Sequence, residues 1–270
     1  MKAALERSRG AIWVSSLTAN GPLVPGYPAS VLVADASLGN LGARYIAVVP
    51  DPDNRFPRAR NGEVGLAEGW QIARAVHQII AEDSDRMSKR AIVAVIDVTS
   101  QAYGRREEGF GIHQALAGAA GAYARARLAG HPVIGLIVGK AMSGAFLAHG
   151  YQANRLIAIN DPQVMVHAMG KASAARITMR SVDALESFAS KIPPMAYDIE
   201  SYASLGLLWE CLNLEDPDFP SAADINAVEN CLRSALLDIL ADPDRNLVSR
   251  LGAEHRRASR KVREVMRLQW

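Results

Sequence analysis

Two continuous apolar segments constrain the fold of this chain more than any other feature of its sequence. Residues 91–97 and 131–138 lack the alternation of a half-exposed strand, as expected of strands that are covered on both faces. Between them, residues 108–128 have the composition of a helix that is unusually rich in alanine and glycine, so it can lie very close to its neighbours. This order of strand, helix and strand predicts an α/β layered fold.

The flanking segments continue the pattern. Further strands are predicted at residues 30–35, 44–49 and 155–160, and helices at residues 65–81, 143–152 and 224–240. The pattern becomes helical after Ser181, and a last basic helix runs to Trp270. We therefore predict a single domain of residues 1–270, with a core of about residues 28–180 and a helical C-terminal region of about residues 181–270.

Composition narrows the class of protein. The chain has 270 residues, 49% apolar and 21% charged, and a net charge of +2 that is too small to predict nucleic-acid binding. Neither an apolar run of the roughly 18 residues that a membrane span needs nor a signal peptide is visible. Cys211 and Cys231 lack the spacing of metal ligands, so we expect no metal, a reduced cysteine pair and a cytoplasmic protein.

Glycines mark the end of the second apolar strand. The strand is predicted to end at Gly139, and residues 140–144 then turn directly into a helix that starts with Ser143 and Gly144. Free backbone N–H groups at such a helix start can hold an oxyanion. A second glycine turn, at Phe110 and Gly111, precedes the small-residue helix. The predicted catalytic groups are the backbone amides of these four residues, and the alternative is a tight strand–helix connection.

The order of these motifs resembles the core of the crotonase superfamily over about residues 91–170. A Gly-x-x-x-x-Gly loop at residues 104–109, the small-residue helix, a Pro-Val-Ile strand from Pro132 and a Gly-x-x-x-Ser-Gly turn at residues 139–144 are similar to the carboxyltransferase subunits of acyl-CoA carboxylases. Over its whole length the chain resembles the gamma subunits of biotin-independent malonate decarboxylases. Ala141, Met142 and Ala145 replace glycines of the biotin-dependent relatives, which disfavours biotin.

This resemblance implies a ClpP/crotonase spiral of ββα units with a helical C-terminal appendage. It also implies half of a composite site that a beta subunit completes in a heterodimer. Its substrate would be a malonyl group on the phosphopantetheine-type arm of an acyl carrier protein, loaded by an alpha subunit that is a transferase. The site would release CO₂ and leave an acetyl thioester, with no tightly bound cofactor, by stabilising the thioester enolate at backbone amides.

Several side chains near the glycine turns are further candidates. His113 could protonate the enolate, or it could lie on the helix surface. The predicted substrate-binding residues are Gly139, Lys140, Met142, Arg105 and Arg106, although the two arginines could equally be solvated loop charges. The basic C-terminal segment, with Arg256, Arg257 and Arg260 among its eight cations, is either a solvated helix face or a docking surface for an acidic carrier or a partner subunit.

Three other functions fit the same residues. One is a carboxyltransferase subunit of an acyl-CoA carboxylase. Another is a serine hydrolase that resembles the caseinolytic proteases and would use Ser143 and His167, which lie 24 residues apart. In that class the serine follows the glycine turn, the histidine ends the next strand, and the geometry decides. The third is a non-catalytic scaffold subunit in which the glycine turn is only structural.

Overall fold

The two apolar segments become adjacent parallel strands of one sheet in the computed structural model, which describes residues 8–270. Within these residues the sheet has seven strands: β1 (Val31–Leu38), β2 (Leu41–Val48), β3 (Ala91–Val98), β4 (Val133–Met142), β5 (Arg155–Ile159), β6 (Met165–His167) and β7 (Glu210–Leu212). The strand order is β1-β2-β3-β4-β5-β7, and only β1 and β2 pair antiparallel. The last three residues of β4 pair with β6.

Helices cover this sheet. In the described part of the chain they are α1 (Arg9–Leu17), α2 (Leu66–Glu82), α3 (Arg105–Gly109), α4 (Ile112–Leu128), α5 (Ser143–Ala148), α6 (Lys171–Ile177), α7 (Val182–Ala189), α8 (Ile199–Ser204), α9 (Ala222–Ala241) and α10 (Arg257–Gln269). None of these helices is long and apolar enough to cross a membrane.

The small residues of α4 allow the close packing that the sequence predicts. A Cβ atom at Gly69 of α2 would lie 2.8 Å from the backbone oxygen of Ala115, and one at Gly118 would lie 2.9 Å from the ring of Trp70. Real Cβ contacts are not this short, so a larger residue at Gly69 would force the two helices apart, and one at Gly118 would displace the Trp70 ring. The prediction of a closely packed helix is therefore confirmed.

Several predicted boundaries are wrong. The strand predicted to end at Gly139 continues to Met142, because residues 140–142 pair with β6. The helix predicted over residues 108–128 is two helices, separated where Gly111 adopts a φ of 83° that a helix cannot continue. The short helix from Ser143 ends at Ala148 rather than near residue 152.

The sequence analysis also missed several elements, of which three illustrate the reasons. α1 was overlooked although it packs Trp13 and Leu17 into the core, and it is also held by its buried Arg9, which binds Asp161 and Asp218. The other two are the three-residue strands β6 and β7, which are too short for a periodicity signal. β7 places Cys211 in a strand, not in a helix, and it interrupts the C-terminal region that was predicted to be helical.

Candidate active site

The junction between β4 and α5 is sharper than a turn. Met142 is the last strand residue and Ser143 is already the first helical residue, so no connecting residue separates the strand from the helix. Ser143 adopts a φ of 59°, in the left-handed region that costs an L-residue about 1–2 kcal/mol. The residue that precedes the helix is Met142, so Ser143 does not cap the helix, as it would in a simple tight strand–helix connection. A strained residue at the mouth of a cavity is typical of a functional site.

This junction opens into a cavity of about 540 Å³. Its walls come from α5, from the end of β6, from α8 and from the segment of residues 193–196. Its lining includes Ser143, Gly144, Phe146, Tyr151, His167 and Tyr202, and it contains no Asp, Glu, Lys or Arg side chain. A bound group would therefore meet backbone dipoles, aromatic rings and one imidazole, and no charge at the surface of the cavity.

His167 shares the cavity with Ser143, as the hydrolase alternative requires. Its ring stacks on Tyr197 with centroids 3.8 Å apart, and its Nδ1 lies 3.0 Å from the backbone oxygen of Met169. Burial lowers the pKa of His167, which favours the neutral imidazole. Among residues 8–270, His167 has no hydrogen bond to Ser143 and none to a carboxylate. The geometry therefore lacks the ordered contacts of a catalytic triad.

The Gly144 amide is the best-defined donor at the junction. Its N–H points at the side chain of Gln101 and donates to Oε1 over 3.0 Å. Gln101 and Leu116 pack closely around Gly144, since a Cβ atom there would lie 3.4–3.6 Å from their side chains, at ordinary contact distance. The Gly144 N–H, on which the predicted oxyanion hole depends, is thus already bound to a carbonyl-type oxygen, that of the Gln101 side chain.

The second predicted pair of amides is not free. The Phe110 N–H donates to the backbone oxygen of Arg106 over 3.1 Å, and the Gly111 N–H donates to that of Glu108 over 2.9 Å. The short helix α3, which the sequence analysis took for a loop, provides these acceptors. The N–H groups at the start of α4 that have no acceptor within the helix are instead those of Ile112 and His113.

None of the predicted substrate-binding residues is among those that line the cavity. Gly139 and Lys140 lie in a separate polar cleft, where the Lys140 N–H donates to Asp97 Oδ1 over 3.1 Å. Met142 is buried against Ala174, Leu185 and Tyr197. The other three side chains are exposed on α3 and α4: Arg105, Arg106 and His113.

Several residues that shape the site have no signal in the sequence. Gln101 lies in an irregular segment between β3 and α3, and Tyr151, Tyr197 and Tyr202 come from three separate segments after β4. The sequence analysis did not single out Pro193 and Pro194, which also line the cavity. Among the described residues, no cluster of three or more His, Cys, Asp or Glu side chains is placed to hold a metal ion.

Comparison with known proteins places this chain in a family. A family model described as malonate decarboxylase gamma subunit matches residues 59–270. A chain of a Pseudomonas malonate decarboxylase hetero-tetramer, crystallised with coenzyme A, is 64% identical, with a TM-score of 0.94 over 97% of this chain and 100% of that one. A chain of the Pseudomonas MdcD-MdcE hetero-dimer is 61% identical, with a TM-score of 0.91 over 98% and 100%.

Two more distant relatives extend the comparison. The malonyl-S-ACP:biotin-protein carboxyltransferase MADD of Malonomonas rubra is 34% identical over 179 residues, which are 65% of this chain and 61% of that protein. The transcarboxylase 12S subunit is 18% identical, with a TM-score of 0.64 over 86% of this chain and 42% of that one, and shows a likeness of fold alone. The predicted α/β crotonase-like fold is confirmed.

Proposed function

This chain belongs to the malonate decarboxylase gamma subunit family, and on that premise we propose that it forms, with a beta subunit, the enzyme that decarboxylates malonyl-S-carrier. The reaction releases CO₂, and the thioester enolate that remains takes up one proton to leave acetyl on the carrier. The partner proposal is supported by the Pseudomonas relative that was crystallised as an MdcD-MdcE hetero-dimer. A cytoplasmic location and an alpha-subunit transferase that loads the carrier belong to the same proposal.

The observation that carries the proposal is the backbone donor at the junction of β4 and α5. Loss of CO₂ from a malonyl thioester moves negative charge onto the thioester oxygen. The Gly144 N–H, which now holds Gln101 Oε1, is a fixed donor for an oxygen of this kind. One such donor, aimed at the charge as it develops, lowers a barrier by about 3–4 kcal/mol. Ser143 contributes its backbone position at the helix start, not its hydroxyl.

The uncharged lining of the cavity fits the other half of the reaction. A cation in contact with the malonyl carboxylate would stabilise the substrate more than the transition state, in which that charge leaves the carboxylate. The lining offers no such cation. Aromatic and aliphatic walls would instead accept the neutral CO₂ and keep water from the enolate. The substrate arrives on the carrier arm, and no step in this scheme needs biotin.

Reconstitution tests the proposal. The chain, the beta subunit of the same complex and their mixture are each supplied with malonyl-carrier, and ¹⁴CO₂ release is measured. We expect release from the mixture and only background from either subunit alone, because each supplies half of the site. Release by one subunit alone at the rate of the mixture would refute the composite site, and no release from a correctly assembled mixture would refute the proposed reaction.

A second function is favoured by one specific observation. The Malonomonas relative is a malonyl-S-ACP:biotin-protein carboxyltransferase, so the carboxyl group could be transferred to a biotin protein instead of being released. The same mixture, supplied with a biotinylated carrier domain, separates the two functions. Carboxybiotin formed at the expense of free CO₂ would favour the transferase, and CO₂ release that is indifferent to the biotin protein favours the decarboxylase.

A further inference from the structure

One buried arginine differs from the others. Four arginines of the described chain are buried: Arg9, Arg44, Arg155 and Arg250. The first three bind carboxylates. Arg9 binds Asp161 and Asp218, Arg44 binds Asp35, and Arg155 binds Asp238. Arg250 is 6% exposed and has no carboxylate partner among residues 8–270. An unpaired buried cation is costly, and proteins retain one mainly where it serves a function.

The guanidinium of Arg250 is buried and forms few hydrogen bonds. Nη1 donates to the backbone oxygen of Tyr151 over 2.8 Å, whereas Nε and Nη2 are buried without a hydrogen-bond partner. Burial lowers the pKa of Arg250 to about 10, so the side chain still carries its positive charge at neutral pH. Arg127 and Arg155 are the charged groups that lower its pKa further, and Tyr151 and Tyr202 are the ionisable groups that raise it.

This charge lies directly behind the wall of the cavity. The carbon at the centre of the guanidinium is 5.7 Å from the centroid of the Tyr151 ring, and that ring meets Phe146 edge-on at 5.2 Å. Tyr151, Phe146 and Tyr202 all line the cavity, whose lining has no charged side chain. The Arg250 charge is therefore separated from the cavity by one aromatic layer.

We propose that Arg250 is a specificity-determining residue, whose positive potential makes the cavity prefer an anionic acyl group over a neutral one. This inference rests on the proposed function, in which the cavity must bind malonyl and release acetyl. Across an aromatic layer of low dielectric constant, a unit charge acts strongly at this range. Because Arg250 does not touch the ligand, it attracts the carboxylate without pairing with it, and CO₂ can still leave.

The charge of the acyl group is the same in the malonyl substrate and in the enolate. A distant cation therefore stabilises both states alike, and its loss should raise KM with little change in kcat. A merely structural arginine would affect malonyl and acetyl carriers equally. The ratio of the two affinities, and not activity as such, thus distinguishes the two roles.

Variants of the assembled complex test the inference. In Arg250→Met, which removes the charge, we expect KM for malonyl-carrier to rise about tenfold, kcat to stay within about twofold and the inhibition constant of acetyl-carrier to stay unchanged. Arg250→Lys should restore most of the difference. Arg86→Met, which removes an exposed charge far from the cavity, is the matched control. Equal losses of malonyl and acetyl affinity in a folded variant would overturn the inference.

The wild-type complex provides an independent measurement should Arg250→Met fail to assemble. A malonyl thioether on a pantetheine arm and its carboxamide analogue have the same shape and differ in charge. We expect the carboxylate to compete at least about fivefold more tightly, and equal or weaker binding would overturn the inference. The wild-type rate of CO₂ release separately tests the proposed function, so the two failures remain distinguishable.

Discussion

The backbone N–H of Gly144 donates a hydrogen bond to Oε1 of Gln101 over 3.0 Å, at the mouth of the cavity. The Gln101 side chain therefore accepts from the same N–H that, in the proposed reaction, must donate to the thioester oxygen. A thioester oxygen could bind this donor only after Gln101 Oε1 had left it, so the proposed reaction requires the Gln101 side chain to move. The hydrogen bond keeps the amide satisfied and aligned in the absence of substrate.

Replacing Gln101 by alanine should free this donor. Since a neutral hydrogen bond contributes about 1 kcal/mol, we expect Gln101→Ala to bind a stable enolate analogue roughly fivefold more tightly and to lose about 1 kcal/mol of unfolding free energy. Calorimetric titration of the complex measures the first and chemical denaturation the second. Gln163→Ala, at an exposed glutamine outside the cavity, is the control. Weaker binding by Gln101→Ala would show that Gln101 assists the reaction directly.

Substitutions at Ser143 distinguish catalysis by its backbone from catalysis by its hydroxyl group. Ser143→Ala removes only the hydroxyl, and we expect CO₂ release within about threefold of wild type, because the donors are backbone amides. Ser143→Gly should raise the unfolding free energy by about 1 kcal/mol, since glycine adopts the φ of 59° without strain. Met179→Gly, at an exposed residue with a φ of 56°, should give a similar gain without a kinetic effect. A loss of about 100-fold or more in Ser143→Ala would instead support a serine nucleophile.

The fold was largely predictable because the buried strands and the small-residue helix carry strong local patterns. Residues 91–97 and 131–138 are almost entirely apolar. A strand that is covered on both faces has this composition regardless of the sequence around it. The strands β6 and β7 were not predictable, since three residues carry no periodicity. Their pairing with β4 and β5 is a tertiary effect.

Acidification should destabilise the chain through His149. This residue is fully buried between the Tyr123 hydroxyl and the Val95 carbonyl, each 3.0 Å away, and desolvation lowers its pKa from 6.5 to about 4. The unfolded chain then binds a proton that the folded chain rejects. Stability that is fully present above pH 6.5 should fall by up to about 3 kcal/mol as the pH drops toward 4.

Denaturation curves across this pH range check the prediction. The slope of unfolding free energy against pH should shrink in His149→Gln and stay as in wild type in His255→Gln, whose side chain is exposed. Burial also lowers the pKa of His131 and His167, so part of the slope should survive. An unchanged slope in His149→Gln would contradict the assignment of this proton to His149.

The basic helix α10 should contribute to carrier binding. None of its residues is buried, and its basic side chains project beside exposed Val262, Val265 and Met266. Exposed charges of this kind mainly raise the rate of association with an acidic partner, and they do so most at low salt. We expect Arg257→Glu with Arg260→Glu to weaken carrier affinity about tenfold at low salt and little at high salt. Arg86→Glu with Arg233→Glu is the control, and unchanged affinity would rule out docking at α10.

The candidate site was predictable only in part, because its parts depend on tertiary contacts. Glycine spacing identified Ser143 and Gly144, which the structure places at one cavity. Phe110 and Gly111 were wrong as free donors, because α3 turns back and satisfies their amides. Gln101 had no signal in the sequence, and Arg250 was noted only as one cation of the basic C-terminal segment, although it is buried. Each matters through one contact with a residue more than 40 positions away.

The central claim is that the Gly144 N–H stabilises the enolate oxygen, and removal of this one hydrogen-bond donor tests it most directly. Replacing Gly144 by glycolic acid turns its amide into an ester and changes no side chain, and the same replacement at exposed Gly252 is the control. We expect kcat for CO₂ release from malonyl-carrier to fall by about 100- to 1,000-fold at Gly144. The Gly252 ester should stay close to wild type. A Gly144 ester that retained kcat within about twofold would contradict the claim.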